Sequence, residues 1–381
     1  MKIAIVVSNL EFGGAQQQIV AFANAIDTTE HSLHIICLSS FVPLADSLQS
    51  TDAPVHVIQK RWKFDISVPF RLYFLLRKLN VDVLHGYLFD AEIASRIAGR
   101  LARIPVVVGS ERNCDYRLKP VKKRFYDLTR NMQDWCIANS YAGARFNSRL
   151  LGYDDDHYKV VHNGVDTERF RPSSQQLSRQ ELDLPDAVPV VGVFASFKAQ
   201  KNHELFFRAA ELLVHEFPNL KLLLVGDELY GGMHGSGEHA LMLQQLVDEL
   251  GLRDRCGFVG NRRDVENIYP ACDLTVLPSR HEGMPNAVLE SMACGVPVVV
   301  TKVADNELLV PDGEVGFVVD SEDVNGLAAK IRILLADRDL ADRFGRRARA
   351  WVEEKFAAPV MADRLIAAYG SMLRNSRERR N

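Results

Sequence analysis

Leu274–Gly295 reads LTVLPSRHEGMPNAVLESMACG, and this stretch predicts a strand, a loop and a helix in succession. Leu274–Leu277 is a short apolar and β-branched run of the kind that forms a buried strand. The loop Pro278–Gly283 follows; Pro285 suits a first helical turn and Gly295 suits the C-terminal cap. A buried strand that leads directly into a helix is the repeating unit of a parallel α/β sheet.

The rest of the chain repeats this alternation of short β-branched runs and amphipathic segments, which predicts two doubly wound α/β halves. In the first half we predict strands at Ile3–Ser8, Leu33–Leu38, Val55–Ile58, Val83–His85, Val106–Gly109, Cys136–Ala138 and Lys159–Val161. Helices are predicted at Ala15–Ala25, Val68–Leu79 and Glu92–Leu101. In the second half we predict strands at Val188–Phe194, Lys221–Val225, Cys256–Val259, Leu274–Leu277, Val298–Thr301 and Gly316–Val318. The C-terminal 40 residues predict helix.

We place the domain boundary near residue 170. Asn163–Gly164 is turn chemistry, and Arg171–Asp186 is polar and interrupted by proline. The prediction is an N-terminal Rossmann-like domain over 1–170 and a C-terminal one over 171–359, with a final helix over about 360–381 packing back on the first. Ligands of such sheets bind beyond the carboxyl ends of the strands, so we expect a cleft between two facing domains.

Composition excludes several classes of protein. The 381 residues carry 46 Lys+Arg against 49 Asp+Glu, a net charge of -3, which argues against a nucleic-acid binder. The six cysteines are scattered without metal-ligand spacing, so we expect reduced thiols in a cytoplasmic protein. No apolar run has the length of a signal peptide core or a membrane-spanning helix.

The start of the helix predicted after Leu277 suits an anionic ligand. Backbone amides of Asn286, Ala287 and Val288 would point out of the first turn, where the helix dipole favours a phosphate. Glu290 lies one turn further on the same face and suits ribose hydroxyls, while Glu282 suits other hydroxyl groups. Two glutamates at this spacing also have a purely structural explanation, in which Glu282 caps the helix and Glu290 is an exposed helix residue.

Glu282 and Glu290 together resemble the E-x7-E signature of GT-B retaining glycosyltransferases, and the surrounding residues resemble family GT4. Four further matches follow in the family's order along nearly the whole chain. They are Phe12-Gly13-Gly14-Ala15, Asn163-Gly164-Val165-Asp166 with Phe170, Lys201-Asn202-His203, and Val225-Gly226-Asp227. Each motif is weak alone, but the ordered set is specific.

The resemblance implies an α/β GT-B fold and a retaining, metal-independent glycosyltransferase. Its donor would be a UDP- or GDP-sugar, its acceptor a glycan or lipid-linked glycan, and the transferred group a hexose or N-acetylhexosamine. Lys201 would neutralise the leaving diphosphate and Glu282 would hold hydroxyls of the donor sugar. The implied donor-binding residues are Gly13, Gly14, Lys198, Asn261, Gly283, Met284, Pro285, Asn286, Ala287, Val288 and Glu290.

The sequence departs from the family pattern at two places. Ser196 stands where relatives often have an arginine, and Lys198 is the nearby cation that would replace it, unless it is a plain surface lysine. Where many relatives have a histidine after the fifth strand, this chain has Glu111 and Arg112, which we place on the acceptor side. His85 ends another strand and is either a third acceptor-side residue or a structural histidine.

Two charged stretches have alternative interpretations. Asp154–Asp156 has the D-x-D spacing of metal-holding GT-A enzymes, but its place before a strand predicts a solvated loop. Residues 100–149 hold 11 basic and 4 acidic side chains, a surplus of +7 that is centred on the basic band, residues 117–124 beside Tyr116. A second mixed stretch is Lys60–Phe64. We expect the band to dock the chain on the inner face of the cytoplasmic membrane; the alternative is a solvated helix face.

Two other classes of protein remain as alternatives. A sugar-nucleotide epimerase, such as a 2-epimerase, has a similar two-domain shape but should lack the E-x7-E pattern. A catalytically silent nucleotide-sugar binding protein is compatible with the missing arginine and histidine. Turnover of the donor by the unmodified chain distinguishes the enzyme from the silent protein.

Overall fold

The computed structural model describes residues 1–48, 53–62, 65–114, 117–226 and 236–378. The chain forms two compact units, Met1–Gly164 with Ala358–Asn381, and Val165–Ala357. This division falls slightly before the boundary placed near residue 170, because Val165 and Phe170 are buried in an apolar core of the second unit.

The first unit has seven strands, which are β1 (Lys2–Val7), β2 (Ser32–Cys37), β3 (Val55–Val57), β4 (Val83–Tyr87), β5 (Val106–Glu111), β6 (Trp135–Ala138) and β7 (Tyr158–Val160). They form one parallel sheet in the order β3-β2-β1-β4-β5-β6-β7. Its helices are α1 (Gly14–Ala25), α2 (Val68–Leu79), α3 (Phe89–Ala102), α4 (Pro120–Leu128), α5 (Tyr141–Leu151) and, from the C-terminus, α13 (Ala358–Glu378).

Helices cover both faces of this sheet, as a parallel sheet of apolar strands requires. On one face, Phe22 of α1 packs in a core with Leu365 and Tyr369 of α13. On the other, Leu72 of α2 and Ala98 of α3 pack over the opposite side of the same strands. The strand order reverses between β1 and β4, which makes their carboxyl ends the expected ligand edge.

The second unit has six strands, which are β8 (Val190–Phe194), β9 (Lys221–Val225), β10 (Cys256–Gly260), β11 (Leu274–Leu277), β12 (Val298–Thr301) and β13 (Gly316–Val319). They form a parallel sheet in the order β10-β9-β8-β11-β12-β13, which reverses between β8 and β11. Its helices are α6 (Gln175–Gln180), α7 (His203–Glu211), α8 (Ser236–Glu249), α9 (Asn286–Ala293), α10 (Asn306–Leu309), α11 (Val324–Ala336) and α12 (Arg338–Lys355).

The predicted α/β class with two parallel, Rossmann-like sheets is confirmed, and every predicted strand is present to within two residues at each end. The C-terminal helix is not continuous, however. It breaks between α12 and α13, where the Val165 amide donates a 2.9 Å hydrogen bond to the Phe356 carbonyl and Val165 bridges Ala357. This break lies where the chain passes from the second unit back to the first. Among the described residues, no helix combines the length and apolar character needed to cross a membrane.

Candidate functional site

The candidate site of the second unit lies where the strand order reverses. β8 and β11 are neighbours there, and each is followed at its carboxyl end by a loop. The loop after β8 contains Lys198 and Lys201, and the loop after β11 contains Glu282. Parallel topology alone therefore brings these two distant segments to one edge of the sheet.

Lys201 and Glu282 are in direct contact. The distance from Lys201 Nζ to Glu282 Oε1 is 2.5 Å, and the two side chains are 20% and 7% exposed. The Ser279 hydroxyl, itself buried, donates to the same carboxylate oxygen over 2.6 Å. The structure thus joins the two residues that the resemblance implied for the diphosphate and the sugar, and places a partly accessible cation beside a held carboxylate.

Arg280 and Gln200 fix the two loops to each other, a role that the sequence did not reveal. The Arg280 amide donates to the Gln200 carbonyl over 2.8 Å, and Arg280 Nη1 donates to the Ala199 carbonyl over 2.9 Å. In return, Gln200 Nε2 donates to the His281 carbonyl over 2.7 Å. These contacts set the position of Lys201 relative to Glu282. The acceptors in these hydrogen bonds are main-chain carbonyls, which every residue has. The contacts therefore could not be predicted from the residue types in the sequence.

Helix α9 begins at Asn286, one residue later than predicted, because Pro285 is still extended (φ -78°, ψ 117°). Proline has no side chain that can accept hydrogen bonds from the first-turn amides, and Gly283, Met284 and Pro285 are buried beneath this turn. Asn286 and Ala287 are partly exposed, whereas Val288 is buried. The positive N-terminal end of α9 therefore lies at the same sheet edge as the Lys201–Glu282 pair, and it begins four residues after Glu282.

Glu290 is held by Tyr269, a residue that the sequence analysis missed. The Tyr269 hydroxyl donates to Glu290 Oε2 over 2.8 Å, and its buried ring stacks on Phe194 with the ring centroids 3.8 Å apart. Burial raises the pKa of Glu290, and the hydrogen bond from Tyr269 opposes this rise. A buried tyrosine hydroxyl usually has a hydrogen-bond partner, so a tyrosine in an apolar stretch is the only signal of this contact in the sequence. The sequence does not identify Glu290 as that partner.

Binding of a ribose by Glu290 should weaken in acid at an unusually high pH. An ionised carboxylate accepts hydroxyl hydrogen bonds more strongly than the protonated acid, and the pKa of Glu290 lies above the ordinary value of 4.5 because of burial. As the pH falls through this raised pKa, the dissociation constant for a nucleoside diphosphate should rise. Titration calorimetry between pH 8 and 5 measures it. E290Q should remove this step; a step that persists in E290Q would assign it to another group.

Other residues of the donor set occupy strand or helix ends. Gly13 precedes α1, and a Cβ there would lie 2.4 Å from Gln16 Oε1; Gly14 is exposed as the first residue of that helix. Lys198 is partly exposed, and its carbonyl accepts the Lys201 amide hydrogen bond over 2.8 Å. Asn261 is exposed directly after β10. Asp227, of the Val225-Gly226-Asp227 motif, lies outside the described residues.

His85 is a core residue of the first unit. It is fully buried, Nδ1 lies 2.7 Å from the Tyr369 hydroxyl, and Nε2 lies 2.7 Å from the Ser110 hydroxyl. Burial first, and the charge of Arg112 second, lower the pKa of His85 well below its usual value. A neutral ring with both nitrogens engaged inside the protein fits the structural alternative, so we leave His85 out of the proposed site.

Glu111 and Arg112 differ in what their side chains contact. Glu111 is buried; its Oε1 accepts the amide hydrogen bonds of Arg112 and Asn113, each over 2.9 Å, and its Oε2 accepts one from Asn147. This carboxylate fixes the turn after β5 and does not point to a ligand. Arg112 is partly exposed and donates to the Tyr87 hydroxyl over 2.7 Å.

The D-x-D stretch forms a short 3-10 turn before β7, and Asp155 accepts a hydrogen bond from the Ser148 hydroxyl over 3.0 Å. Within the described ranges, no group of three or more His, Cys, Asp or Glu residues is arranged to hold a metal ion.

Comparisons with known proteins show the family and the fold. Residues 174–351 match the family model "Glycosyl transferases group 1", and residues 12–169 match "Glycosyltransferase Family 4". The chain is similar to a structure of Anabaena Alr3699/HepE with UDP and glucose, at a TM-score of 0.84 and 22% identity, covering 97% of this chain and 100% of that one. The two Rossmann-like units define the GT-B class of fold.

Curated relatives are similar over different shares of their length. The D-inositol 3-phosphate glycosyltransferase of Mycolicibacterium smegmatis is 32% identical over 249 residues, 65% of this chain and 55% of that protein. The chain spans about half the length of the first such relatives that it matches. The UDP-Gal:alpha-D-GlcNAc-diphosphoundecaprenol alpha-1,3-galactosyltransferase of Escherichia coli is 26% identical over 98% of both chains. The chain belongs to the group 1 and family 4 glycosyltransferases.

Proposed function

We propose that this chain is a retaining glycosyltransferase that moves a hexose or N-acetylhexosamine from a nucleotide-diphosphate sugar to a glycan or lipid-linked glycan, without a metal ion. The observation that carries the proposal is the 2.5 Å contact between Lys201 Nζ and Glu282 Oε1 in the loops before α7 and α9. Three features lie at one edge of the sheet: the Lys201 cation, the hydrogen-bonded Glu282 carboxylate and the N-terminus of α9. The cation and the helix N-terminus suit the diphosphate of such a donor, and the carboxylate suits its hydroxyl groups.

In this proposal Lys201 and the first-turn amides of α9 bind the diphosphate, so that the Lys201–Glu282 contact is exchanged for contacts with the donor. Glu282 then accepts hydrogen bonds from sugar hydroxyls, and Glu290 accepts them from the ribose. The bond from the anomeric carbon to the phosphate oxygen breaks while the acceptor oxygen attacks from the same face. The acceptor proton passes to the leaving phosphate, whose growing charge is stabilised by Lys201 and the helix dipole.

The relatives favour a UDP-sugar and a phosphate-bearing acceptor. Anabaena Alr3699/HepE was solved with UDP and with UDP-glucose, and the Escherichia coli relative is named for a UDP-Gal donor. The relatives' names specify acceptors that carry phosphate, inositol 3-phosphate in one case and a sugar on diphosphoundecaprenol in the other. We therefore propose a UDP-sugar over a GDP-sugar, and a lipid-linked acceptor over a free glycan.

The test is a thermal-unfolding screen against UDP-, GDP- and ADP-sugars, followed by turnover assays with the donor that stabilises the chain. We expect donor hydrolysis or transfer with retained anomeric configuration, read by proton NMR, and its loss in E282A. Binding without turnover would favour a silent binding protein. Conversion of the nucleotide sugar to an isomer would favour an epimerase.

We also propose that the basic band, residues 117–124, meets an anionic membrane surface on the cytoplasmic side. Helix α4 buries none of its side chains, and its apolar residues Val121 and Leu128 are 62% and 68% exposed beside its lysines. Phe70 and Phe74, one turn apart on α2, are 57% and 70% exposed. Cations and aromatic rings are the side chains that favour the lipid interface. Lys63, Phe64 and Tyr116 lie outside the described residues.

Charge reversal in the band should release the chain from anionic vesicles. Changing Lys119, Lys122 and Arg124 to glutamate should lower partitioning onto phosphatidylglycerol vesicles by about 10²-fold, at roughly 1 kcal/mol per basic residue. Co-sedimentation measures the bound fraction. The matched control reverses the exposed Arg343, Arg346 and Arg347 of α12. Equal binding by both triple variants would contradict the proposal.

A further inference from the structure

Arg112 carries a positive charge that no described carboxylate of the first unit pairs with. Its guanidinium donates to two neutral acceptors, the Tyr87 hydroxyl over 2.7 Å and Asn163 Oδ1 over 3.1 Å, and lies 4.7 Å from the centre of the Tyr87 ring. Among the residues that the structure describes, no carboxylate lies within ion-pair distance of Arg112. A guanidinium stays ionised at every physiological pH, so this charge persists.

Three other arginines with limited exposure have a carboxylate partner. Arg96 pairs with Glu92 at 2.7 Å, Arg179 with Asp273 at 3.0 Å, and Arg71 with Asp65 at 2.7 Å. Such pairing is the usual response to the cost of withdrawing a charge from water. Arg112 differs from these three, and like the partly exposed Arg255 it has no carboxylate partner among the described residues. Its charge is therefore available to an anionic ligand.

The guanidinium also has unused donors. Of its five N–H groups, the Tyr87 and Asn163 contacts use two, and the buried Nε has no acceptor among the described atoms. A small pocket adjoins it, lined in part by Gln18, Tyr87 and His162. The charge acts on its surroundings. Burial lowers the pKa of His85 and the charge of Arg112 lowers it further, whereas burial raises the pKa of Tyr369 and the charge of Arg112 opposes that rise.

The main chain holds Arg112 at the ligand edge of its sheet. Arg112 directly follows β5, whose neighbour β4 is one of the two strands where the order reverses. The Glu111 carboxylate accepts the Arg112 and Asn113 amide hydrogen bonds, which fixes the turn. Asn163, which accepts from the guanidinium, begins the Asn163-Gly164-Val165-Asp166 motif.

We infer that Arg112, at this edge of the sheet, binds a phosphate group of a substrate. A planar guanidinium with free N–H groups matches the geometry of phosphate oxygens, and an anion there supplies the missing counter-charge. The inference deepens the proposed function and depends on it only for the identity of the substrate. Two sources share this chemistry, the diphosphate of the donor and a phosphate on the acceptor.

The test is a titration of the full chain with inorganic phosphate at low salt, followed by thermal unfolding. We expect phosphate to stabilise the wild type, with at least a tenfold weaker apparent affinity in R112Q. R112K keeps the positive charge but loses the planar guanidinium with its several N–H donors. Its apparent affinity for phosphate should lie between those of the wild type and R112Q. The phosphate response of K201A shows whether the Arg112 site is independent of Lys201, and an Arg112-dependent response is expected in this variant as well. The unfolding midpoint of R112Q without phosphate shows that the variant folds.

Nucleotide binding distinguishes the two sources. If R112Q loses as much affinity for UDP as for inorganic phosphate, Arg112 binds the diphosphate of the donor. If R112Q loses the phosphate response but binds UDP as the wild type does, Arg112 binds a phosphate of the acceptor. If R112Q responds to phosphate and to UDP as the wild type does, the inference is overturned. Absence of UDP binding in the wild type would instead count against the proposed function, and would leave the phosphate response as a separate result.

Discussion

Replacing Lys201 with alanine is expected to lower kcat/KM for sugar transfer by about 10²- to 10³-fold, or roughly 3–4 kcal/mol of transition-state stabilisation. The Lys201 side chain is 20% exposed and its ammonium group contacts a largely buried carboxylate, so its position is set before a donor arrives. Charge on the diphosphate grows as the glycosidic bond breaks, and a fixed cation stabilises that charge more than it stabilises the bound donor. Steady-state kinetics with the donor from the thermal screen measure the effect, and we expect it mainly in kcat.

A matched control is Lys221, which has similar partial exposure in the same unit but begins β9 at the opposite end of the sheet. Its ammonium group donates to the Asp254 carbonyl over 2.8 Å. K221A should change kcat/KM less than threefold. A K201A variant as active as K221A would show that Lys201 does not bind the reacting diphosphate.

Loss of Lys201 also leaves Glu282 without its ion partner, which costs about 1–3 kcal/mol of folding stability. The double variant K201A/E282Q separates the two effects, because a neutral amide beside Ser279 needs no counter-charge. Its free energy of unfolding should return toward the wild-type value while turnover stays low. Recovery of turnover together with stability would mean that the defect in K201A is structural.

The fold was predictable because it depends on patterns that the chain repeats. The run Val298–Thr301 is β-branched throughout and Lys221–Val225 contains three leucines and a valine, and both form strands inside the sheet with the predicted bounds. Parallel strands separated by helices leave few topologies open. The break at Phe356 has one signal in the sequence, Pro359, which disfavours a continuous helix and suits the first turn of a new one. The break reflects where the chain changes unit, which is a tertiary property.

The site was predictable only in part. Motif resemblance pointed to Lys201 and Glu282, but their 2.5 Å contact depends on which loops the sheet order places together. Tyr269 acts through one hydrogen bond to Glu290, and Arg280 acts through hydrogen bonds to two main-chain carbonyls; the sequence pattern predicts none of these pairings. Charge counts located the basic surplus near Arg112 without showing that this one arginine has no carboxylate partner among the described residues. These contacts are determined by how the side chains pack in the folded chain, and residue type alone does not predict them.

A second large effect is expected from Gly345, an interior glycine of α12. A Cβ there would lie 2.0 Å from the Gly295 carbonyl oxygen and 3.0 Å from its carbon, and both are main-chain atoms that cannot move aside as a side chain can. Gly295 ends α9 with φ at 73°, and its amide donates to the Met292 carbonyl over 3.0 Å. Arg349, one turn along α12, donates to the Ala293 carbonyl over 2.8 Å. Helix α12 thus sets the position of the C-terminal end of α9.

G345A should therefore destabilise the chain by about 3 kcal/mol or more, since α12 must move away from α9 to admit the methyl group. This corresponds to a fall in Tm of roughly 6–12 °C for a unit of this size. Gly370, inside α13, is the matched control, because the nearest atom to its Cβ position is a flexible Arg374 nitrogen at 3.6 Å. G370A should stabilise by up to about 1 kcal/mol, as alanine favours helix over glycine.

The same substitution in two helices is thus expected to act with opposite signs, and calorimetry of both variants measures the difference. Because α9 carries Glu290 one turn before the Gly295 contact, G345A should also raise KM for the donor, whereas G370A should leave KM unchanged. A G345A variant with the stability of G370A would show that α12 can shift without cost. It would then also follow that α9 is positioned by the sheet and by the loop from Pro278 to Pro285, and not by α12.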